Sequence, residues 1–234
     1  MARIRRTSVG GYCYHAINRG NRKAPVFHDL GDYIRFVTLI ERACKRIPMR
    51  LLAWCLMPNH FHFVLWPLRD AEMSRWMHWL LSSHVRWYHK RYGTSGRIWQ
   101  GRFKAFPIQN DDHLLAVERY VERNPLRAGL VERAENWPWS SLRSWVDDSS
   151  PELLHEGPVR RWNGWLQHVN TPQTEAELQS IRHSVNRESP FGDEAWTAST
   201  AQRLELGWAL RGPGRPRATS KRRMSRVEKE DVPP

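Results

Sequence analysis

Two short apolar runs, Arg50–Met57 and Phe61–Pro67, stand either side of Pro58-Asn59. A turn signal between two runs of strand length predicts an antiparallel hairpin, with His60 and His62 at the start of its second strand. Upstream, Gly11–Asn18 mixes aromatic and β-branched residues and ends at Asn18-Arg19-Gly20-Asn21, which predicts a strand and then a loop. Asp32–Arg46 repeats Tyr33, Phe36, Val37, Ile40 and Ala43 at helical spacing until Pro48 stops it.

Downstream, Glu72–Arg91 carries Met73, Trp76, Met77, Leu80, Leu81, His84, Val85 and Tyr88 at helical intervals, with Arg75, Arg86, Lys90 and Arg91 left for solvent. Gly93–Gly101 breaks that helix, and Arg102–Gln109 alternates as a strand. Asn110-Asp111-Asp112 then offers N-caps for a helix running to about Asn124, where Pro125 interferes. The order β-α-β-β-α-β-α predicts an α+β fold, a ferredoxin-like antiparallel sheet with helices on one face and one helix added. Beyond Trp145, Thr171-Pro172 with Glu175 and Glu177, and Gly192-Asp193, mark the starts of helices in a C-terminal extension. From Arg211 to Arg223 the chain has six basic residues, no acids and repeated Gly and Pro, so it is expected to be disordered when free.

Charge narrows the partner. Lys and Arg outnumber Asp and Glu by 37 to 24, for a net charge of +13, which favours a polyanion. Nucleic acid ranks above a membrane surface, because no apolar run approaches the roughly 20 residues that span a bilayer. With no apolar signal core in Met1–Gly10, a soluble, cytoplasmic protein is expected. Cys13, Cys44 and Cys55 are too few and too scattered for a disulfide framework or a zinc site, and are expected to be free thiols. Most of the 13 tryptophans are assigned to packing, including Trp137, Trp139 and Trp145 against the sheet.

Two elements can carry chemistry. On a strand, His60 and His62 project from one face while Phe61 and Phe63 turn to the core, so two imidazoles can converge on one divalent ion, Mg²⁺ or Mn²⁺, completed by an oxygen ligand and waters. For an isolated His-x-His a pair of hydrogen-bonded surface histidines is the commoner case, because the spacing is short and common. In Glu118–Gly129, Tyr120 and Asn124 lie one helical turn apart on one face. The phenol can serve as a nucleophile toward phosphorus and the carboxamide as a metal ligand, or the tyrosine can simply pack.

At these residues the chain resembles the REP-associated tyrosine transposases, relatives of the small insertion-sequence transposases within the single-tyrosine HUH class. The resemblance runs through Tyr14-His-Ala-Ile-Asn-Arg-Gly20, Cys55-Leu-Met-Pro-Asn-His-Phe-His62, Tyr92-Gly to Trp99-Gln-Gly-Arg-Phe-Lys104, and Arg119-Tyr120 to Asn124-Pro-Leu-Arg-Ala-Gly-Leu130, in that order, over about residues 12 to 145. It implies an RRM-like sheet, His60 and His62 as metal ligands with Asn124 at the third position, and Tyr120 as the nucleophile forming a 5′-phosphotyrosine bond. The substrate it implies is palindromic DNA hairpins cut as single strands, in a bacterial, nucleoid-associated protein. The expected organisation is a catalytic domain over 1–147, a helical extension over 148–210 and a basic tail over 211–234. Monomer and homodimer remain equally compatible with the sequence.

Arg97, Arg102 and Lys104 interleave with Trp99 and Phe103, a composition suited to a groove that tracks a DNA backbone and stacks bases. Gly101 would let DNA approach the main chain, and Arg19 is a candidate for reading bases beside a hairpin. In the tail, Arg215 and Arg217 of Gly-Arg-Pro-Arg resemble minor-groove arms. Two other readings stay open: a catalytically silent palindrome binder or repressor, and an RNA-binding sheet using Tyr12 and Tyr14.

Overall fold

The computed structural model describes residues 8–147 and 153–211. At its centre β1 (Cys13–Arg19), β2 (Arg50–Met57), β3 (His60–Trp66) and β4 (Lys104–Ile108) form one sheet in the order β2-β3-β1-β4, with every neighbouring pair antiparallel. Two crossover helices, α1 (Leu30–Arg46) and α2 (Glu72–Tyr92), complete the expected ferredoxin-like α+β arrangement. Asp29 caps α1 by accepting from the Asp32 backbone N–H, so the helix starts slightly before the apolar spacing signals it.

Strand alternation sorts the side chains into two cores. Tyr14, Ala16, Leu56, Phe61, Phe63 and Leu65 meet Phe36, Leu39 and Ile40 of α1 and Met73, Trp76 and Leu80 of α2. Cys13, Cys55, Val64, Phe106 and Ile108 turn the other way, against Leu114, Val117 and Val121 of α3 (Asp112–Glu122). The expectation of helices on one face therefore holds for α1 and α2 but not for the added helix. The opposite face is itself apolar and must be covered. The signal was present in β2, whose Leu51–Met57 is apolar throughout instead of alternating, the mark of a strand buried on both sides. An irregularity between Leu51 and Ala53 sends both Leu52 and Ala53 into the second core.

The helix expected to reach Asn124 breaks for one residue. α3 ends at Glu122 and α4 (Asn124–Arg127) follows, because Pro125 has no N–H to donate. Arg123 nevertheless keeps helical angles (φ −79°, ψ −10°), and Arg127 N–H still donates to the Arg123 carbonyl at 2.9 Å. Side chains on α3 and α4 therefore share faces across the break.

The C-terminal segment supplies α5 (Ser141–Asp147), α6 (Trp165–Asn170), α7 (Glu175–Arg187), α8 (Glu194–Arg203) and α9 (Gly207–Leu210). A Thr174–Glu177 capping box opens α7, and Asp193 caps α8. Ile181 and Phe191 enter the α3-side core, and Phe191 hydrogen-bonds along the edge of β4 through Pro107 and Gln109. Trp137 donates its indole N–H to the Leu56 carbonyl, and Trp139 stacks on Tyr33 at 4.9 Å. Trp145 departs from expectation: it is 38% exposed under the Arg161 guanidinium, because Leu142 takes the buried position of α5. Cys13 and Cys55 are buried and Cys44 half-buried, all three free. No described helix is long and apolar enough to cross a membrane.

Candidate active site

His60 and His62 leave β3 on the side covered by α3, as period-two spacing predicts, with ring centroids 5.0 Å apart. Each Nδ1 is engaged. His60 Nδ1 lies 2.6 Å from Asn59 Oδ1, and His62 Nδ1 lies 2.8 Å from His15 Nε2. Asn59 Oδ1 can only accept, so His60 Nδ1 carries the proton and Nε2 keeps its lone pair. For His62, the tautomer that donates from Nδ1 to His15 leaves Nε2 equally free. Burial holds both imidazoles uncharged. His60 is pushed down to about 4, first by burial and then by Arg19 and Arg127, and His62 lies well below the usual imidazole range for the same leading reason.

Tyr120 projects from α3 between two of these rings, 5.8 Å from His62 and 6.1 Å from His15, both edge to face. Asn124 follows one turn later and is also buried. Its Oδ1 accepts from Arg127 Nη2 at 2.9 Å, while its Nδ2 is buried without a partner. The Arg127 guanidinium stands 4.2 Å above the Tyr120 ring. Candidate nucleophile, histidine pair and carboxamide therefore come together.

This donor set fits a divalent cation. Two neutral imidazoles present nitrogen lone pairs, and an amide oxygen with one hydrogen bond retains a second lone pair. The orphaned Asn124 Nδ2 is a donor and calls for an acceptor beside that site, such as a water or a phosphate oxygen. Among the described residues no trio of His, Cys, Asp or Glu converges as a metal cluster, so further ligands would be water or phosphate oxygens.

The other flanks of α3 anchor the helix. Glu118 and Glu122 are fully buried, with Arg161 Nη2 at 3.0 Å and 3.4 Å from their carboxylates. Glu122 also accepts from Ser141 Oγ and Trp165 Nε1, each at 2.7 Å. Glu118 has no such donors; burial, reinforced by Glu122 and opposed by Arg161, pushes its carboxyl up to about 8. Arg119 and Arg123 donate to the Thr171 and Val169 carbonyls at the C-terminal end of α6. The charged residues on these flanks of α3 are thus its attachment to the C-terminal segment.

The expected DNA-contacting cations fall in two adjoining clefts. Arg19, Arg102 and Lys104 line one of about 370 Å³, with Val185 and Asn186 of α7 on its far wall. Arg97 and Arg86 line a second of about 590 Å³, and Gly101 and Arg102 border both. A side chain at Gly101 would meet nothing within 4 Å, so this rim is open. The stacking role expected for Trp99 and Phe103 is not available, since they are 6% and 5% exposed. Trp99 packs instead on Phe61 and His84, because the Gly20–Trp99 bridge draws its loop onto the end of β1. Arg215 and Arg217 lie outside the described residues.

Sequence reasoning missed His15 and Arg127 as members of the site. Both were discoverable. His15 is on a strand predicted to pair in the sheet, and Arg127 stands three residues after Asn124 and seven after Tyr120, on the same helical face.

The model of the family described as "Transposase IS200 like" matches residues 8–124. An Escherichia coli protein named REP-associated tyrosine transposase is 25% identical over 146 residues, 61% of this chain and 83% of its own length. A Haemophilus influenzae protein provisionally given the same name is 31% identical over 125 residues, 48% of this chain and 70% of its own. A solved REP-associated tyrosine transposase, bound to a REP hairpin, shares the fold with a TM-score of 0.54 at 22% identity, covering 70% of this chain and 96% of that one. With a family model spanning half of its length and these relatives beside it, the chain belongs to the IS200-like transposases, a family of DNA-processing enzymes.

Proposed function

We propose that this chain cuts and rejoins single-stranded DNA beside palindromic repeats folded as hairpins, through a 5′-phosphotyrosine bond to Tyr120. One observation carries the reading: the Tyr120 ring stands 5.8 Å from the ring of His62, beside two imidazoles that burial keeps uncharged. The hairpin substrate rests on the relative solved with a REP hairpin and on the relatives that share its name. Arg19, Arg102 and Lys104 in one cleft and Arg97 in the other would neutralise backbone phosphates, with Arg215 and Arg217 extending the contact from the tail. Such a protein works at the nucleoid, in the bacterial cytoplasm.

In the proposed reaction the Tyr120 oxygen bonds to phosphorus as the bond to the 3′ oxygen breaks. The phenol proton passes to water and the departing oxygen takes one up, so the cut strand keeps a free 3′ hydroxyl while the 5′ phosphate stays on the protein. Attack by another 3′ hydroxyl reverses the step and joins new ends. His60, His62 and the Asn124 amide oxygen would hold one Mg²⁺ or Mn²⁺, which supplies Lewis-acid polarisation of the scissile phosphate. Asn59 and His15 fix the two imidazole rings through their Nδ1 atoms.

A labelled hairpin with a single-stranded flank, incubated with the protein and Mn²⁺, tests this. The wild type should yield a nick and a covalent protein–DNA adduct, and Tyr120→Phe neither, with hairpin binding retained. An adduct that persists in Tyr120→Phe overturns the nucleophile, and a wild type that shifts the hairpin without nicking it supports a silent binder. RNA recognition on an open sheet is disfavoured, since Tyr14 is buried and both sheet faces are covered.

A further inference from the structure

Arg127 is no metal ligand and takes no part in anchoring α3, yet it touches both Tyr120 and Asn124 of the candidate active site. Its guanidinium lies 4.2 Å above the Tyr120 ring, and its Nη2 donates to Asn124 Oδ1. Its Nη1 is buried and has no hydrogen-bond partner. An arginine needed only to hold Asn124 would leave its second nitrogen in water, because a buried N–H without an acceptor is rare in folded proteins. The local charge points the same way. The hydrogen bonds of His15, His60, His62 and Asn124 run to one another, to Asn59 and to Arg127, so none of them pairs with a carboxylate. Glu118 and Glu122 are committed to Arg161 on another flank of α3. A cationic fork with one engaged and one free nitrogen is suited to a single anionic oxygen.

We propose that Arg127 is a catalytic residue whose Nη1 donates to a non-bridging oxygen of the scissile phosphate. This inference rests on the nuclease reading above. The phosphorus must come within bonding reach of the Tyr120 oxygen, and Arg127 covers the ring that carries that oxygen. Charge that grows on the phosphoryl oxygens as the Tyr120–phosphorus bond forms then meets a donor already in position. The bonds made and broken are those of the proposed reaction, and Arg127 neither gains nor loses a proton. Its hydrogen bond to Asn124 joins it to the far side of the site, so one side chain sets both the amide and the phosphate.

The test compares wild type, Arg127→Met and Arg127→Lys in single-turnover nicking of one hairpin, with the scissile linkage either a phosphodiester or each stereoisomer of a methylphosphonate. On the phosphodiester, Arg127→Met should nick on the order of 100-fold more slowly, as loss of one transition-state donor does, and Arg127→Lys should fall between. Hairpin affinity should stay within about 3-fold of wild type, because the other phosphate contacts remain. On the stereoisomer that replaces the oxygen facing Arg127, wild type and Arg127→Met should nick at similar rates. A purely structural role would slow all three substrates equally, and that result overturns the proposal, as does Arg127→Met nicking at the wild-type rate. If the wild type binds the phosphodiester hairpin without nicking it, the nuclease reading itself fails; wild-type nicking with an indifferent Arg127 overturns this inference alone.

Discussion

On the face covered by α1 and α2, β1 and β3 present Tyr14, Ala16, Phe61, Phe63 and Leu65. One residue out of phase, the same strands present His15, His60, His62 and Val64 to the face covered by α3. The first face is aromatic and aliphatic, and its stacked Phe61–Phe63 pair meets Trp76 edge to face. The second carries buried polar groups, some paired in His15–His62, Arg127–Asn124 and Arg161–Glu122 and others, such as Asn124 Nδ2 and Arg127 Nη1, left without a protein partner. Burial alone can satisfy the first face. The second cannot be satisfied by burial alone, and it is the one that holds the candidate chemistry.

That contrast can be broken from either side. The largest effect is expected for Tyr120→Phe, which should abolish the adduct, read by denaturing gel, while moving the melting temperature by no more than about 2 °C, since it removes one hydroxyl and no packing volume. Phe63→Ala should do the reverse. It should cost about 3–5 kcal/mol in urea unfolding through the cavity it leaves, while molecules that remain folded keep their nicking rate. A Phe63→Ala protein that is stable but unable to nick would show that the apolar face takes part in the chemistry.

A third prediction probes the buried carboxylates of the polar face. Folded Glu118 holds its proton up to about pH 8, whereas the ordinary carboxyl value is 4.5. Between those values the unfolded chain binds fewer protons than the folded one, so the stability contributed by Glu118 is fully present below about 4.5 and is lost as pH rises through about 8. The expected loss is roughly 4–5 kcal/mol across that window by linkage. Glu118→Gln should flatten the slope in denaturation curves taken at pH 5 and pH 8, and an unchanged slope would assign the pH dependence elsewhere. The smallest effect is expected for Lys104→Ala at the cleft rim, with hairpin binding weaker by about 3–5-fold and the slope of log affinity against log salt reduced by roughly 0.7–0.9. Fluorescence anisotropy at several salt concentrations reads both.

Much of this was legible because it depends on local periodicity. The hairpin around Pro58-Asn59, the helical spacing in α1 and α2, and the caps at Asp111 and Asp193 are properties of neighbouring residues, and the elements formed accordingly, whereas the helix expected from Thr171-Pro172 starts instead at Glu175, because Thr174 forms the capping box and Thr171 closes α6. The convergence of His60 with His62, and of Tyr120 with Asn124, follows from strand and helix repeats in the same way. Trp99 and Phe103 were misread because local composition cannot tell a base-stacking aromatic from one folded under its own loop. For Trp99 that choice was made by its bridge to Gly20, far away in sequence.

By itself, then, the sequence determined the α+β order of elements, the basic character, and the two local pairs of candidate active residues, because each follows from spacing within one segment. Only the tertiary structure decided that α3 covers the face of the sheet opposite α1 and α2, and that Tyr120 therefore faces the histidines. It also decided that His15 pairs with His62, that Arg161 reaches the buried carboxylates of α3, and that Arg127 keeps one buried donor free. The physical reason is common to all of these: the partner of a buried polar group is set by which segments the sheet brings together, and no spacing within one segment carries that information.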